Sequence, residues 1–275
     1  MNRVSVIIPT WNRAETLVTA VNSALHQTYP ILEVLICDDG STDDSQERIA
    51  AIQDNRIRWI DCGRNGRPAI PRNIGIKESK GDWIAFLDSD DEWFSQKTEK
   101  QMEALAKEAN CLAVASNANI IRPDKKDVRA FHTLNETTFE FTDLIKTNKI
   151  ICSSALVHRS VFETTGLFPE AKSFKAIEDY ALWLKVATVT NWLYVNQSLL
   201  NYLDNPGQSV RSDDIGTWHQ RKIILADLST WMETQKKIPA FYRRFTKKEL
   251  LLSLYKTSKT GASKWLNRIR YELNL

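Results

Sequence analysis

The feature that most limits the fold of this 275-residue chain is the alternation of apolar strand patterns and amphipathic helix patterns in its first half. Apolar runs such as VSVIIP (4–9), LEVLICDD (32–39) and DWIAFLD (82–88) are separated by segments with helical spacing. Near-continuous apolar strands between helices are typical of a mostly parallel sheet that helices cover on both faces. The same alternation predicts further strands at 57–62 and 111–117, and helices at 14–27, 43–53, 68–79 and 95–108.

The second half of the chain is less regular. Residues 120–142 are polar and favour a loop or a hairpin, and residues 192–203 are apolar and extended. SSALVHR (153–159) predicts a strand, and AIEDYALWLKVA (176–187) predicts a helix with two acidic residues in its first turn. The remaining sequence predicts helices at 214–235, 241–258 and 262–273.

Three polar clusters stand where predicted strands end: PTWNR (9–13), DDGSTDD (38–44) and DSDDE (88–92). In parallel sheets, ligands bind at the carboxyl ends of the strands, so these clusters are expected to converge on a single crevice. Each cluster taken alone has a simpler explanation, because Asp, Ser and Thr also cap helices and begin turns.

A crevice lined by carboxylates repels a phosphate unless a cation lies between them. Mg²⁺ or Mn²⁺ held by one or two carboxylates and by substrate phosphates is the expected arrangement. The chain has no GxxxxGK[ST] loop and no GxGxxG, which argues against a P-loop NTPase and against a dinucleotide-dependent dehydrogenase. We therefore expect a divalent cation, assisted by cationic side chains such as Arg72, to hold the phosphate.

Four segments in order, VSVIIPTWNRAETL, EVLICDDGSTDDS, PRNIGIKESKGDWIAFLDSDDEW and IEDYALWLKVA, closely resemble glycosyltransferase family 2. The resemblance covers roughly residues 3–205. It implies the GT-A fold, a Rossmann-like and mostly parallel mixed sheet flanked by helices, here with a helical C-terminal extension. It also implies a catalytic domain at 1–210, with a nucleotide-binding half (1–118) and an acceptor-side half (119–210). The basic extension then occupies 211–275.

The resemblance also implies roles for individual residues. Asp90 of the D-x-D motif coordinates the divalent cation, Mn²⁺ or Mg²⁺, and Asp88 faces the ribose. Asp179 of the Glu178-Asp179 motif is the catalytic base. The residues assigned to the nucleotide, usually a uridine nucleotide, are Pro9, Thr10, Asn12, Arg13, Asp38, Asp39, Arg72, Asp88 and Ser89. Beyond the resemblance, Trp11 is expected to stack near the base, and Trp93, which follows the acidic cluster, is a candidate wall for the acceptor. Asp91 and Glu92 are candidates for an acceptor contact or for the start of the next helix.

The chemistry of inverting transfer agrees with this set of side chains. One carboxylate activates an acceptor hydroxyl opposite the leaving group, and the metal stabilises the departing diphosphate. A glycosidase would instead need two carboxylates that flank the bond. Glu178 and Asp179 also have a structural alternative, because acidic residues in the first turn of a helix interact favourably with the helix dipole.

The sequence departs from the family where members often carry YR.H, since Leu203 and Asn205 stand at the two positions. Arg211, in the loop that follows, is a candidate substitute for the missing cation. The Q-x-x-R-W motif of processive members is absent, which favours the addition of single sugars. We therefore predict an inverting enzyme that moves one sugar to a glycan or lipid-linked acceptor in surface polysaccharide or lipopolysaccharide synthesis.

The charge distribution separates the end of the chain from the rest. Residues 236–275 contain eleven basic and two acidic residues, a net charge of +9, whereas the other 235 residues carry −6. Basic segments with interleaved aromatic residues lie on anionic membranes, although a solvated helix pair packed on the catalytic domain explains the pattern equally well. An acidic body without a continuous basic face argues against nucleic-acid binding.

The sequence leaves two other functions and a location to consider. A nucleotidyltransferase of the same fold normally carries a glycine-rich signature near its beginning, which IPTWNRAETL lacks. A catalytically silent sugar-binding protein would not need both the metal and the base motifs. We predict a cytoplasmic protein, with the inner membrane face as a further expected site. The prediction follows from the scattered cysteines, from the absence of an apolar leader at the beginning and from the absence of a membrane-length apolar run.

Overall fold

The computed structural model describes residues 2–122, 129–131, 137–205 and 217–257. A mixed sheet lies at its centre, and helices cover both faces. The strands in the described ranges are β1 Val4–Thr10, β2 Ile31–Asp38, β3 Ile57–Asp61, β4 Trp83–Phe86, β5 Glu92–Trp93, β6 Ala113–Ile121, β7 Arg129–Ala130, β8 Thr138–Phe139, β9 Leu156–His158 and β10 Trp192–Leu203. The helices in the same ranges are α1 Ala14–Leu25, α2 Ser45–Ala50, α3 Ala69–Glu78, α4 Lys97–Lys107, α5 Phe141–Leu144, α6 Arg159–Thr165, α7 Glu178–Ala187, α8 Thr217–Thr234 and α9 Ala240–Thr257.

The strand order is β3-β2-β1-β4-β9-β6-β10-β5, with β7 beside β6 and β8 beside β10. Strands β3, β2, β1 and β4 run parallel to one another, and so do β6 and β10. Strand β9 is antiparallel to both of its neighbours, β4 and β6. The predicted α/β fold with a mostly parallel mixed sheet is therefore confirmed.

The two faces of the sheet bury separate apolar clusters, because successive side chains of a strand point to opposite faces. On β1, Ile7 joins the cluster that contains Phe86 and Trp183, whereas Val6 and Ile8 join the cluster on the opposite face. Helix α3 approaches the sheet closely at Gly75. A Cβ atom at Gly75 would lie 2.6 Å from Cγ2 of Ile7 and 2.9 Å from Sγ of Cys37.

The strand predicted at 153–159 was wrong at both ends. Residues Cys152–Ser154 form a 3₁₀ turn, and Arg159 begins α6, which the sequence did not predict. The hydroxyl of Ser154 donates to the carbonyl of Ile151 at 2.7 Å, a local side-chain bond of the kind that competes with strand pairing.

The end of the described chain is a helical hairpin of α8 and α9, as predicted for 214–235 and 241–258. Ile224, Leu225 and Leu228 of α8 belong to the same buried cluster as the apolar residues of α7. The helix predicted at 262–273 and the loop with Arg211 lie outside the described residues. Among the helices described, none combines the length and the apolar character that crossing a membrane requires.

Candidate functional site

The carboxyl ends of β1, β2 and β4 bring the three polar clusters to one edge of the sheet. Thr10 pairs with Asp38 in register, and the amide of Asp39 donates to the carbonyl of Thr10 at 2.8 Å. Strand β4 continues beside β1, where the amide of Leu87 donates to the carbonyl of Ile7 at 3.0 Å. The acidic cluster 88–92 therefore begins next to the end of β1.

A buried arginine connects two of the sequence motifs across this edge. Arg72, on α3, is 4% exposed, and its guanidinium donates to Oδ1 of Asp88 at 2.6 Å and to Oε1 of Glu178 at 2.8 Å. The ring of Phe168 lies 5.4 Å from the guanidinium carbon. Burial opposes the charge of Arg72, but the carboxylates of Asp88 and Glu178 raise its pKa well above the ordinary value. The guanidinium that the sequence assigned to the nucleotide is thus engaged by two motif carboxylates.

The Glu178-Asp179 pair occupies the first turn of α7. Desolvation, followed by the charge of Glu178, raises the pKa of Asp179 to about 7. Oδ1 of Asp179 accepts from the amide of Tyr180 at 2.7 Å, and Asp179 itself is half-buried. A carboxylate that titrates near neutrality and keeps access to solvent has the properties of a general base.

The approach to this helix contains an unusual backbone conformation. Ala176 has φ of 65°, in the left-handed region that costs a non-glycine residue about 1–2 kcal/mol. Oε2 of Glu178 is buried and has no hydrogen-bond partner. Both features are energetically unfavourable by themselves, and such features tend to cluster at functional sites.

The acids of the 88–92 cluster have different surroundings. Asp90 is half-buried and lies 3.6 Å from Nη2 of Arg13. Burial, followed by the negative charge of Asp88, raises the pKa of Asp90. Asp91 is only 2% exposed, and its carboxylate accepts from the Ser153 hydroxyl at 2.5 Å and from the Leu203 amide at 2.9 Å.

The burial of Asp91 and Trp93 corrects two acceptor contacts that were predicted from the sequence. Asp91 holds the end of β10 to the acidic loop from inside the protein, so its carboxylate is not available to an acceptor. Trp93 is 3% exposed, donates its Nε1–H to the Ser153 carbonyl at 2.8 Å and lies under Lys97, whose Nζ is 3.8 Å from the ring centroid. Both side chains are buried and hold the acidic loop in place through contacts with Ser153.

Ser153 is a site residue that sequence reasoning missed. Its hydroxyl accepts from the amide of Asp88 at 3.0 Å and donates to Asp91, so one fully buried side chain fixes the start and the middle of the acidic loop. Only an undistinguished Ser-Ser pair marks it in the sequence. Its importance arises from the 3₁₀ turn that lies against the end of β4.

The residues assigned to the nucleotide base lie around the ends of β1 and β2. The Thr10 hydroxyl is buried and has no hydrogen-bond partner. The next residue, Trp11, has an exposed ring. Asp39 accepts from Arg64 and from the amides of Asn65 and Gly66, both at 2.8 Å. The Arg64 guanidinium in turn lies 3.9 Å from the Trp11 ring centroid. Arg64 was not predicted, although its polar loop follows β3 at the same edge.

Two other predicted residues stabilise loops in this structure. Ser41 donates to both carboxylate oxygens of Asp38, at 3.0 and 3.1 Å through its amide, which matches the turn-forming alternative for that residue. Asn12 accepts from the amide of Thr42 at 2.8 Å. Pro9 lies within β1 and pairs with Cys37, and Ser89 is buried in the acidic loop.

The acidic loop suits a divalent cation that the substrate helps to bind. In the described part of the chain, no three His, Cys, Asp or Glu side chains gather closely enough to hold a metal by themselves. Mg²⁺ typically takes one or two protein carboxylates and completes its shell with phosphate oxygens and water. Asp88 and Asp90 are the half-buried carboxylates of this loop, and burial, followed by the negative charge of Asp88, raises the pKa of Asp90.

The chain is similar to known glycosyltransferases in sequence and in fold. Residues 5–166 match the sequence profile of Glycosyl transferase family 2. An Escherichia coli protein named UDP-Glc:alpha-D-GlcNAc-diphosphoundecaprenol beta-1,3-glucosyltransferase WfaP is 35% identical over 186 residues, which is 68% of this chain and 70% of that protein. A putative teichuronic acid biosynthesis glycosyltransferase, TuaG of Bacillus subtilis (strain 168), is 30% identical over 203 residues, covering 72% of this chain and 78% of TuaG.

One further match covers a small share of the relative's length, and another is a similarity of structure at low sequence identity. An uncharacterized glycosyltransferase of Rickettsia felis is 36% identical over 187 residues, and the match spans 30% of that protein's length and 68% of this chain. The crystal structure of S. aureus TarS 1-349 in complex with UDP-GlcNAc superposes with a TM-score of 0.72 at 19% identity, covering 94% of this chain and 74% of TarS 1-349. At that identity the similarity establishes the fold.

Proposed function

Because this chain belongs to glycosyltransferase family 2, we propose that it transfers one sugar from a nucleotide-sugar donor to a glycan acceptor, with inversion at the anomeric carbon. The observation that carries this proposal is the half-buried Asp179, whose pKa is raised to about 7 and which adjoins the Arg72 link to the acidic loop. Inverting transfer requires a base for the acceptor hydroxyl and a site that stabilises the diphosphate leaving group.

We assign the base role to Asp179. The carboxylate of Asp179 takes the proton of the acceptor hydroxyl as that oxygen forms a bond to the anomeric carbon, while the bond from that carbon to the diphosphate oxygen breaks. Glu178 is a positioning residue, since its carboxylate bonds to Arg72 at 2.8 Å and its charge helps to raise the pKa of Asp179. Above about pH 7, Asp179 is charged and able to accept the proton.

We assign the nucleotide to the edge formed by β1, β2 and the loop after β3. The exposed ring of Trp11 offers a stacking surface, and the unpartnered hydroxyl of Thr10 offers a polar contact. Asp39 and Arg64 border the same edge. A uridine nucleotide is favoured because the structural neighbour binds UDP-GlcNAc and WfaP is named for UDP-Glc.

We assign Mn²⁺ or Mg²⁺ to Asp90, assisted by Asp88. Such an ion supplies neutralisation of the negative charge that develops on the leaving diphosphate. Arg13, which lies 3.6 Å from Asp90, contributes positive charge at the same edge. The acceptor is proposed to be lipid-linked, because WfaP is named for a diphosphoundecaprenol acceptor.

The decisive experiment separates binding from transfer. Asp179→Asn is expected to keep Mn²⁺-dependent UDP binding by calorimetry while lowering transfer by at least about 100-fold, the usual contribution of a general base. Asp90→Ala is expected to weaken Mn²⁺-dependent UDP binding itself. Glu163→Gln, a change at an exposed acid on α6, is the control that should alter neither quantity.

Screening nucleotide sugars for Mn²⁺-dependent hydrolysis identifies the donor for these measurements. Full transfer by Asp179→Asn would remove Asp179 as the base. Unchanged UDP affinity of Asp90→Ala with Mn²⁺ present would remove the acidic loop as the metal site. Failure of the unaltered protein to hydrolyse or transfer from any nucleotide sugar would favour a silent sugar-binding protein.

A further inference from the structure

Helix α9 carries an exposed stripe of basic and apolar side chains. At about 100° per residue the stripe occupies about one third of the helix circumference, and we call it the basic stripe. Its members are Phe241, Arg244, Lys248, Leu252 and Lys256, all exposed. The only acidic residue of α9, Glu249, is half-buried and accepts from Nη2 of Arg221 at 2.7 Å. The stripe therefore has no negative charge of its own.

The opposite side of α9 is fixed to the protein. The ring of Tyr242 lies 4.5 Å from that of Phe141, and Thr246 and Ser253 are fully buried. The sequence left two alternatives for this segment, a helix packed on the domain or a membrane-binding helix. The structure shows the packing, and it also shows that the packing leaves the basic stripe uncovered by the described residues.

The stripe combines charge with large exposed apolar side chains. Phe241 is 58% exposed and Leu252 is 40% exposed, and Trp218 of α8, also 40% exposed, lies 5.9 Å from Nζ of Lys256. Aromatic and aliphatic side chains interleaved with lysine and arginine are characteristic of helices that lie in the interface of an anionic bilayer.

One end of the helical hairpin is connected through Arg221 to Tyr180, which follows Asp179 in α7. Arg221 of α8 donates to the carbonyl of Lys146 at 2.8 Å as well as to Glu249, and its charge acts on Tyr180, the neighbour of Asp179. Leu252 lies about one helical turn beyond Glu249. The Leu252 end of the hairpin is therefore the end that adjoins the first turn of α7.

We propose that the basic stripe, together with Trp218, seats the protein on an anionic phospholipid surface. Five cations in α9 against one inward-facing acid complement such a surface in charge. The arrangement holds a lipid-linked acceptor at the membrane beside the first turn of α7, and this last consequence rests on the proposed function. Surface binding itself requires only the stripe.

The test is flotation of the full chain with vesicles of phosphatidylcholine alone or mixed with phosphatidylglycerol. We expect binding to the mixed vesicles only, weakening as salt is added. Arg244→Gln with Lys248→Gln should lower the partition coefficient about 30-fold, since each basic residue near an anionic surface contributes about fivefold. Phe241→Ser with Leu252→Ser should lower it as well, through the loss of apolar contact.

The matched control is Lys77→Gln with Lys107→Gln, which removes the same charge from exposed positions on α3 and α4. The control should bind as the unaltered protein does, and circular dichroism should show that all variants fold. Equal loss in stripe and control variants, no loss in either, or equal binding to both vesicle types would overturn the proposal. Binding to an acidic protein but not to vesicles would also overturn it.

UDP binding and nucleotide-sugar hydrolysis without vesicles, measured on the same variants, separate this proposal from the proposed function. Both should be unchanged in the stripe variants. Vesicle binding by a protein that neither binds UDP nor hydrolyses nucleotide sugars would support the stripe proposal and contradict the proposed transferase function. Hydrolysis by a protein that does not bind the mixed vesicles would support the proposed function and contradict the stripe proposal.

Discussion

The guanidinium of Arg72 lies between Asp88 and Glu178, which are 16 and 106 residues away from it in the chain. One buried cation thus joins the acidic loop after β4 to the first turn of α7. Removing a charged partner from a buried ion pair is costly, because the remaining charges stay in a poorly solvated place. The link therefore bears on stability as well as on the chemistry of the site.

Arg72→Gln is expected to lower the free energy of unfolding by about 3–5 kcal/mol, because Glu178 is left buried without its cation. Denaturant unfolding measures the change. The double variant Arg72→Gln with Glu178→Gln should lose less than the two single variants added together. Arg48→Gln, which breaks the exposed pair with Asp44, should leave stability unchanged within error. A loss no greater than that of Arg48→Gln would contradict the link.

Transfer is expected to depend on pH through Asp179. Below about pH 7 the base is protonated, so kcat/KM should rise about tenfold per pH unit and level off above it. Glu178→Gln removes the negative charge that helps to raise this pKa, so the acid limb should move to lower pH. The amide oxygen that Glu178→Gln introduces can still accept the bond from Arg72.

A pH profile of initial rates measures the acid limb, and Glu163→Gln serves as the control because it removes an exposed negative charge. A limb that stays in place in Glu178→Gln, or moves to higher pH, would show that another group controls the rate. The direction of the shift is informative even if the variant is slower at every pH.

Ser153→Ala is expected to lower stability by about 2–3 kcal/mol and to weaken Mn²⁺-dependent UDP binding. The variant leaves a buried oxygen of Asp91 without its donor at 2.5 Å and frees the amide of Asp88. Ser154→Ala is the matched control, since its hydroxyl bonds only to the Ile151 carbonyl within the turn. The control should lose about 1 kcal/mol and keep UDP binding. Equal UDP affinity in both variants would limit Ser153 to a structural role.

Gly75→Ala is expected to lower the free energy of unfolding by about 1–3 kcal/mol through overpacking between α3 and the sheet. The new methyl group would lie 2.6 Å from Ile7 and 2.9 Å from Cys37. Since α3 also carries Arg72, donor binding should weaken as well. Thermal unfolding and calorimetry measure the two effects. Ile74→Ala on the same helix controls for generic loss of side-chain packing, and unchanged stability in Gly75→Ala would mean that α3 can move away from the sheet.

Much of the fold followed from local patterns. Apolar runs and helical spacing identified the strands and helices of the first half to within a few residues, because their hydrophobic faces follow the periods of strand and helix. The Ser153–Ser154 turn and α6 were missed because apolar residues 155–157 look like part of a longer strand. There the polar side chains decided the backbone conformation through bonds that the pattern does not contain.

The candidate site divides in the same way. The sequence indicated that acidic clusters would meet at one sheet edge, and it singled out Asp88, Asp90 and Asp179 by their motifs. It did not show that Asp91, which it assigned to the acceptor, is 2% exposed and bonded to Ser153. Nor did it assign Arg64, whose contacts with Asp39 and Trp11 join three separate segments.

The sequence by itself determined the family, the order of the elements and the edge of the sheet where the motifs gather, because these depend on residue type and on spacing along the chain. Only the tertiary structure decided which carboxylate is buried, which cation faces it and which side of α9 is left exposed. Those properties depend on neighbours that are distant in sequence, and desolvation and charge act through distance in space.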